Sequence, residues 1–121
     1  MEPLQILLSR EAPVDVPNHD GFTALMLGAR AGCHQIIAVL IGGGAEVDKV
    51  DPDDGTTALY FAAETGRTTA VQALLSAGAD VNRAKNTGES PLFISATMGH
   101  SDTVKLLLEK GADVNLSLIH I

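Results

Sequence analysis

Apolar residues along the chain come in short groups at helical spacing, with no sustained alternation. Ile36, Ile37, Leu40 and Ile41 form one group, Val71, Leu74 and Leu75 a second, and Val104, Leu107 and Leu108 a third. Residues three or four apart share one face of a helix, so each group predicts a helix with one buried stripe. Ahead of each lies a shorter run of Ala and Leu, at residues 25–29, 59–63 and 92–96, which predicts a short helix with a small-residue inner side. Thr23, Thr57 and Ser90 precede these runs, and a hydroxyl there can accept a bond from the free amides of a helix start. Pro91 falls at a first helical position, where a missing N–H is harmless. Gly32, Gly66 and Gly99 end the short helices as left-handed caps, and Gly44, Gly78 and Gly111 close the longer ones. Gly21, Gly55 and Gly88 follow polar stretches and predict turns with positive φ.

These elements repeat. Gly21, Gly55 and Gly88 are spaced by 34 and 33, and Gly32, Gly66 and Gly99 take the same steps. Ala12, Ala45, Ala79 and Ala112, with Val14, Val47, Val81 and Val114, share the period. The step of 34 has a local cause: the turn Val50-Asp51-Pro52-Asp53-Asp54 is one residue longer than Ala84-Lys85-Asn86-Thr87. A unit of turn, short helix and longer helix cannot bury its stripe alone, whereas stacked units share a continuous core. The expected divisions are 18–50, 51–84 and 85–115. Residues 1–17 match only the second helix of a unit, with Leu7-Leu8 aligned to Leu74-Leu75. Neither end has the polar outer face of a capping unit, so a fragment of a longer array is expected. The string Leu116-Ser117-Leu118-Ile119-His120-Ile121 leaves the pattern. It resembles a translated transposon-end adapter; a native apolar tail is the alternative, and it carries no functional argument here.

The best copy reads Gly88-Glu89-Ser90-Pro91-Leu92-Phe93-Ile94-Ser95-Ala96, then Gly99-His100, and ends Gly111-Ala112-Asp113-Val114-Asn115. The second reads Gly55-Thr56-Thr57-Ala58-Leu59-Tyr60-Phe61-Ala62-Ala63 and ends Gly78-Ala79-Asp80-Val81-Asn82. Residues 1–115 thus resemble the ankyrin-repeat family, whose period is about 33 with a T-P-L-H-x-A signature. The resemblance implies an all-α solenoid of stacked helix-turn-helix units joined by β-turn or hairpin loops. It also implies a protein–protein interaction module that is not an enzyme. The copy around Gly21-Phe22-Thr23 departs most, with Gly28 at an inner Ala position and Gly42-Gly43-Gly44 softening the second helix's end. The family's His after Leu is Met26, Tyr60 and Phe93 here, so packing is expected to replace its hydrogen bond.

Composition narrows the function. Aromatics are 3% of the chain against 45% apolar residues, so the core must be built from aliphatic side chains and Ala. A net charge of −7 repels phosphate backbones and anionic membranes, which argues against nucleic acid as a partner. No run approaches the roughly 20 apolar residues of a membrane helix, so no membrane insertion is expected. Met1-Glu2-Pro3 lacks a signal-peptide pattern, and a single Cys allows no internal disulfide. The expected setting is cytoplasmic, with the nucleus left open.

Candidate chemistry is sparse. Cys33-His34 invites a nucleophile–base pair, but neighbours between two helices diverge, and Cys33 occupies the position of the structural His100. No His pair stands at metal-ligand spacing. Placing Gly55 sixth in a calcium loop puts Val50 and Pro52 at the first and third ligand positions, and neither can coordinate. No cofactor, metal or small-molecule substrate is expected. Residues 74–82 and 107–115 resemble the Leu-spaced Asp-Val-Asn stretches that asparaginyl hydroxylases modify in this family; ordinary hairpin Asn is the alternative.

The resemblance places binding on the concave side, at the turn tips and the outward face of the first helix. By position this gives His19, Asp20, Phe22, Arg30 and Ala31; then Asp53, Asp54, Thr56, Glu64 and Thr65; then Asn86, Thr87, Glu89, Thr97 and Met98. Phe22 would serve as an aromatic anchor or pack on the next turn. Asp53, Asp54, Glu64 and Glu89 would favour a basic partner segment or simply solvate the surface. A regulatory or targeting segment of a larger enzyme or channel is the alternative function.

Overall fold

A computed structural model describes Pro17 and residues 21–112. The half unit expected before residue 17, the turn residues His19 and Asp20, and the tail at 116–121 lie outside the described residues. Six helices follow one another: α1 (Ala24–Ala31), α2 (His34–Gly42), α3 (Ala58–Glu64), α4 (Thr68–Ser76), α5 (Pro91–Thr97) and α6 (Ser101–Glu109). There is no strand among the described residues. Each short helix packs on the longer helix after it, α1 on α3 and α3 on α5, while α2, α4 and α6 form a second row. This is the stack of helix-turn-helix units that the spacing predicts.

Local chemistry sets the helix ends. The hydroxyls of Thr23, Thr57 and Ser90 accept the amides of Met26 (3.3 Å), Tyr60 (3.2 Å) and Phe93 (3.1 Å). Each satisfies one of the amides left orphaned at a helix start. At the other end of α3, the Gly66 amide reaches the Ala63 carbonyl and the Arg67 amide reaches the Ala62 carbonyl at 2.9 Å. That pair of bonds requires a left-handed residue, and Gly66 has φ +70°. One expectation is corrected here. Met26 keeps a polar role, because its sulfur lies 3.5 Å from the Thr23 amide and completes a reciprocal cap.

Leu25, Met26, Ile37, Leu40, Leu59, Val71, Leu74 and Leu107 fill the core, with Ala29, Ala62 and Ala63 letting the short helices approach closely. The run 92–96 departs from expectation. Ala29 and Ala63 are fully buried, but Ala96 is exposed, because among the described residues no further short helix packs beyond α5.

Successive units also lock through polar contacts. The His100 ring lies against Gly66 in the preceding unit, where an added Cβ would stand 2.6 Å from Nδ1. Its Nε2 donates to the Glu64 carbonyl at 2.9 Å. Arg67 covers Gly32 in the same way, 2.7 Å from an added Cβ. Thr68 and Thr103 join their hydroxyls at 3.3 Å, and the Asp80 amide reaches Asp48 Oδ1 at 3.0 Å.

The two turns of unequal length differ as the sequence suggests. The Gly55 amide closes on the Asp51 carbonyl four residues back, at 3.1 Å, whereas the Gly88 amide closes on Lys85 three back, at 2.8 Å. Both turns then rejoin the same pattern: the Asp51 amide donates to the Thr56 carbonyl, and the Lys85 amide to the Glu89 carbonyl.

Candidate functional site

The turn before α3 is organised from inside by Asp51, a residue the sequence reading passed over. Its side chain is only 2% exposed. Oδ1 accepts the Thr56 amide at 2.7 Å and Oδ2 the Asp54 amide at 3.1 Å. Burial pushes the Asp51 carboxyl up, but the amides of Thr56, Asp54 and Asp53, with the Thr56 hydroxyl, outweigh it and hold it below the usual aspartate range. This arrangement leaves Asp53 and Asp54 exposed at the tip. It also corrects the expectation for Thr56, whose side chain is 3% exposed and bonded to Asp51, so it offers no surface to a partner.

At the next turn one carboxylate oxygen gathers three donors. Glu89 Oε1 lies 3.3 Å from Lys85 Nζ, 3.2 Å from Thr87 Oγ1 and 3.4 Å from the Tyr60 hydroxyl. Lys85 Nζ also sits 5.1 Å from the Tyr60 ring centroid. Burial raises the Tyr60 hydroxyl's pKa, with Lys85 opposing. Burial pushes the Lys85 ammonium down, but Tyr60 and Glu89 outweigh it, so its pKa is raised. Glu89 is therefore engaged within the molecule, and Asp53, Asp54 and Glu64 are the acids of this face with no ion-pair partner among the described residues. Asn86 is exposed; its amide donates to the Asp54 carbonyl at 2.7 Å and its side chain covers Gly55.

The short-helix row carries an aromatic pair. Phe22 and Phe61 meet edge to face, with centroids 5.5 Å apart at 84°. The Arg30 guanidinium carbon stands 5.9 Å from the Phe61 centroid. Leu27, three residues before Arg30 on α1, is 41% exposed. Thr65 turns its hydroxyl back to the Phe61 carbonyl at 3.0 Å, while Thr97 and Met98 are exposed at the end of α5.

The structure thus brings Phe22 and Arg30 together through Phe61, and leaves Thr97 and Met98 at the end of α5, in the unit after that of Phe61. Phe61 and Leu27 were missed as surface residues because they fall inside the runs 59–63 and 25–29, expected to face inward as a whole. A partial signal existed: Leu27 and Phe61 lie two residues after Leu25 and Leu59, on the opposite face of their helices, although Ile94 at the same position of the third unit is buried.

Cys33 and His34 are both exposed at the start of α2. Among the described residues, no group of three or more His, Cys, Asp or Glu is placed to hold a metal, and no helix is long and apolar enough to cross a membrane. Asn82 has its amide 3.0 Å from Asp80 Oδ1.

A family model described as ankyrin repeats, in three copies, matches residues 36–117, more than half of the chain. No curated protein matches the chain.

Proposed function

We propose, since this chain belongs to the ankyrin-repeat family, that it is a protein–protein interaction module holding its partner against the open face of α1, α3 and α5 and the turn tips beside them. One observation supports this most. The inner positions Leu25, Leu59 and Leu92 and the capping hydroxyls of Thr23, Thr57 and Ser90 are buried as scaffold, whereas Phe22, Arg30, Asp53, Glu64 and Met98, whose counterparts one period away are different residues, are exposed or half-buried. A rigid row with varied side chains on one face can recognise a shape and a charge pattern without moving. Asn86, Thr87, Thr65 and Thr97 flank this surface as polar rim.

The tip carboxylates Asp53 and Asp54 favour basic residues on the partner's side facing the turns. The test is capture of binding proteins on the immobilised chain, repeated with Phe22→Ala and Asp53→Lys. Loss of the same captured proteins from both variants supports the reading. An unchanged set of captured proteins removes this surface from consideration.

A further inference from the structure

The two joints between successive helix pairs are not alike. Where α5–α6 meets α3–α4, the Asn86 amide donates to the Asp54 carbonyl at 2.7 Å and His100 Nε2 to the Glu64 carbonyl at 2.9 Å. The Thr68 and Thr103 hydroxyls meet at 3.3 Å, and the Tyr60 hydroxyl reaches Glu89 at 3.4 Å. Where α3–α4 meets α1–α2, the matching places hold poorer partners. Pro52 follows Asp51 as Asn86 follows Lys85, and it covers Gly21 as Asn86 covers Gly55, but it has no amide to donate. Met26 stands one period before Tyr60 and has no hydroxyl. Arg67 takes the place of His100 over Gly32, and its side chain makes no hydrogen bond among the described residues. Besides apolar packing, this joint has the ring contact of Phe22 with Phe61, Arg30 near the Phe61 ring, and an exposed bond from the Asp80 amide to Asp48.

The helices of this first pair are also weaker in themselves. Gly28 lies within α1 and Gly42 within α2, and neither needs a positive φ. Their counterparts are Ala62 and Ser95, and Ser76 and Glu109. An added Cβ at Gly28 would stand 3.5 Å from Ile36 Cγ2, an ordinary contact, and at Gly42 it would meet nothing within 4 Å. Neither packing nor backbone geometry therefore demands glycine here, yet each one weakens its helix about fivefold relative to Ala.

From these two observations we infer that α1–α2 opens by itself, undocking from α3–α6 while the other four helices stay folded. A lone pair cannot bury its apolar stripe, so undocking and loss of its helices are one event. The opening has a consequence for the surface described above. Phe22 and Arg30 belong to the first pair and Phe61 to the second, so their contacts cross the weak joint. The row is rigid when docked; undocking removes Phe22 and Arg30 from it. A partner that touches both sides of the joint therefore selects the docked state, and the population of that state scales its apparent affinity.

Amide hydrogen exchange of the intact, partner-free chain, read by mass spectrometry, tests this. Protection at residues 24–42 should be at least about tenfold below that at 58–76 and at 91–109. The comparison with 91–109 is the decisive one. Among the described residues α1–α2 and α5–α6 each pack on one neighbouring pair, so ordinary fraying of ends would make them alike. Gly28→Ala combined with Gly42→Ala should raise protection at 24–42 about tenfold and leave 58–76 within about twofold. Equal protection of 24–42 and 91–109 overturns the inference. So does protection at 24–42 that the two substitutions leave unchanged, or a rise of the same size in all three pairs, since the chain then opens as one body. A chain that opens as one body leaves the partner-face reading standing and removes this inference alone.

Discussion

Replacing Gly66 and Gly99 by Ala separates backbone strain from packing between units. Both glycines end short helices in the left-handed region, with φ +70° and +78°. An Ala held there costs roughly 1–2 kcal/mol, partly offset by about 0.4–1 kcal/mol from a stiffer unfolded chain. At Gly99 an added Cβ meets nothing within 4 Å, so Gly99→Ala carries this difference alone, about 1.5 kcal/mol or less. At Gly66 the same Cβ lies 2.6–2.8 Å from three atoms of the His100 ring. The ring must move, which loses its bond to the Glu64 carbonyl, worth about 0.5–1.5 kcal/mol, and disturbs packing at a further cost of about 1 kcal/mol or more. Gly66→Ala is therefore expected to cost about 2–4 kcal/mol in all. At about 4 °C per kcal/mol for a chain of this size, that lowers Tm by roughly 8–16 °C, against about 6 °C or less for Gly99→Ala. Urea unfolding followed by circular dichroism measures both. In a His100→Ala background the cost of Gly66→Ala should fall to that of Gly99→Ala, since the obstructing ring is gone. Equal losses at the two glycines, or a Gly66→Ala cost unchanged by His100→Ala, would refute the claim that adjacent units interlock here.

Asp51→Ala should destabilise by about 1–3 kcal/mol in chemical denaturation, because the buried amide of Thr56 and the part-buried amide of Asp54 lose their acceptor. The folded-state pKa of Asp51 is depressed, so its contribution is complete above the unfolded value near pH 4 and is lost as pH falls through the lower folded value. A stability–pH curve should therefore fall less steeply below about pH 4 in Asp51→Asn than in the parent. Leu74→Ala, at a fully buried site, should cost about 2–5 kcal/mol, whereas Leu108→Ala, at a side chain 44% exposed, should cost under about 1 kcal/mol; thermal unfolding distinguishes them. Cys33 is exposed, so the folded protein should react with a thiol reagent at one equivalent, and Cys33→Ser should change stability by no more than about 0.5 kcal/mol.

What the sequence revealed was whatever depends on neighbours within a few positions. The hydroxyl caps at Thr23, Thr57 and Ser90, the left-handed glycines and the extra residue in the turn after Val50 are all local, and spacing alone exposes them. Contacts between units escaped, because they join residues 25 to 35 positions apart. His100 on Gly66, Thr68 with Thr103 and Lys85 over Tyr60 leave no trace in one unit's pattern. The surface residues show the same division. Phe22 and Arg30 could be placed by period, but Phe61 between them could not, since an aromatic within an Ala-rich run reads as core. Asp51 was hidden by the acids beside it: Asp51, Asp53 and Asp54 look equivalent in a string of letters, and only the fold buries the first and exposes the others.

The two turn closures also show that loop size is decoupled from helix placement. Whether four residues or three intervene, the strap from the Asp51 or Lys85 amide to the carbonyl beyond the glycine restores the same register before the next helix begins. Natural variation or deliberate grafting can therefore lengthen the segment around Pro52 and Asp53, adding contact area at the rim, while the helices beneath keep their mutual alignment.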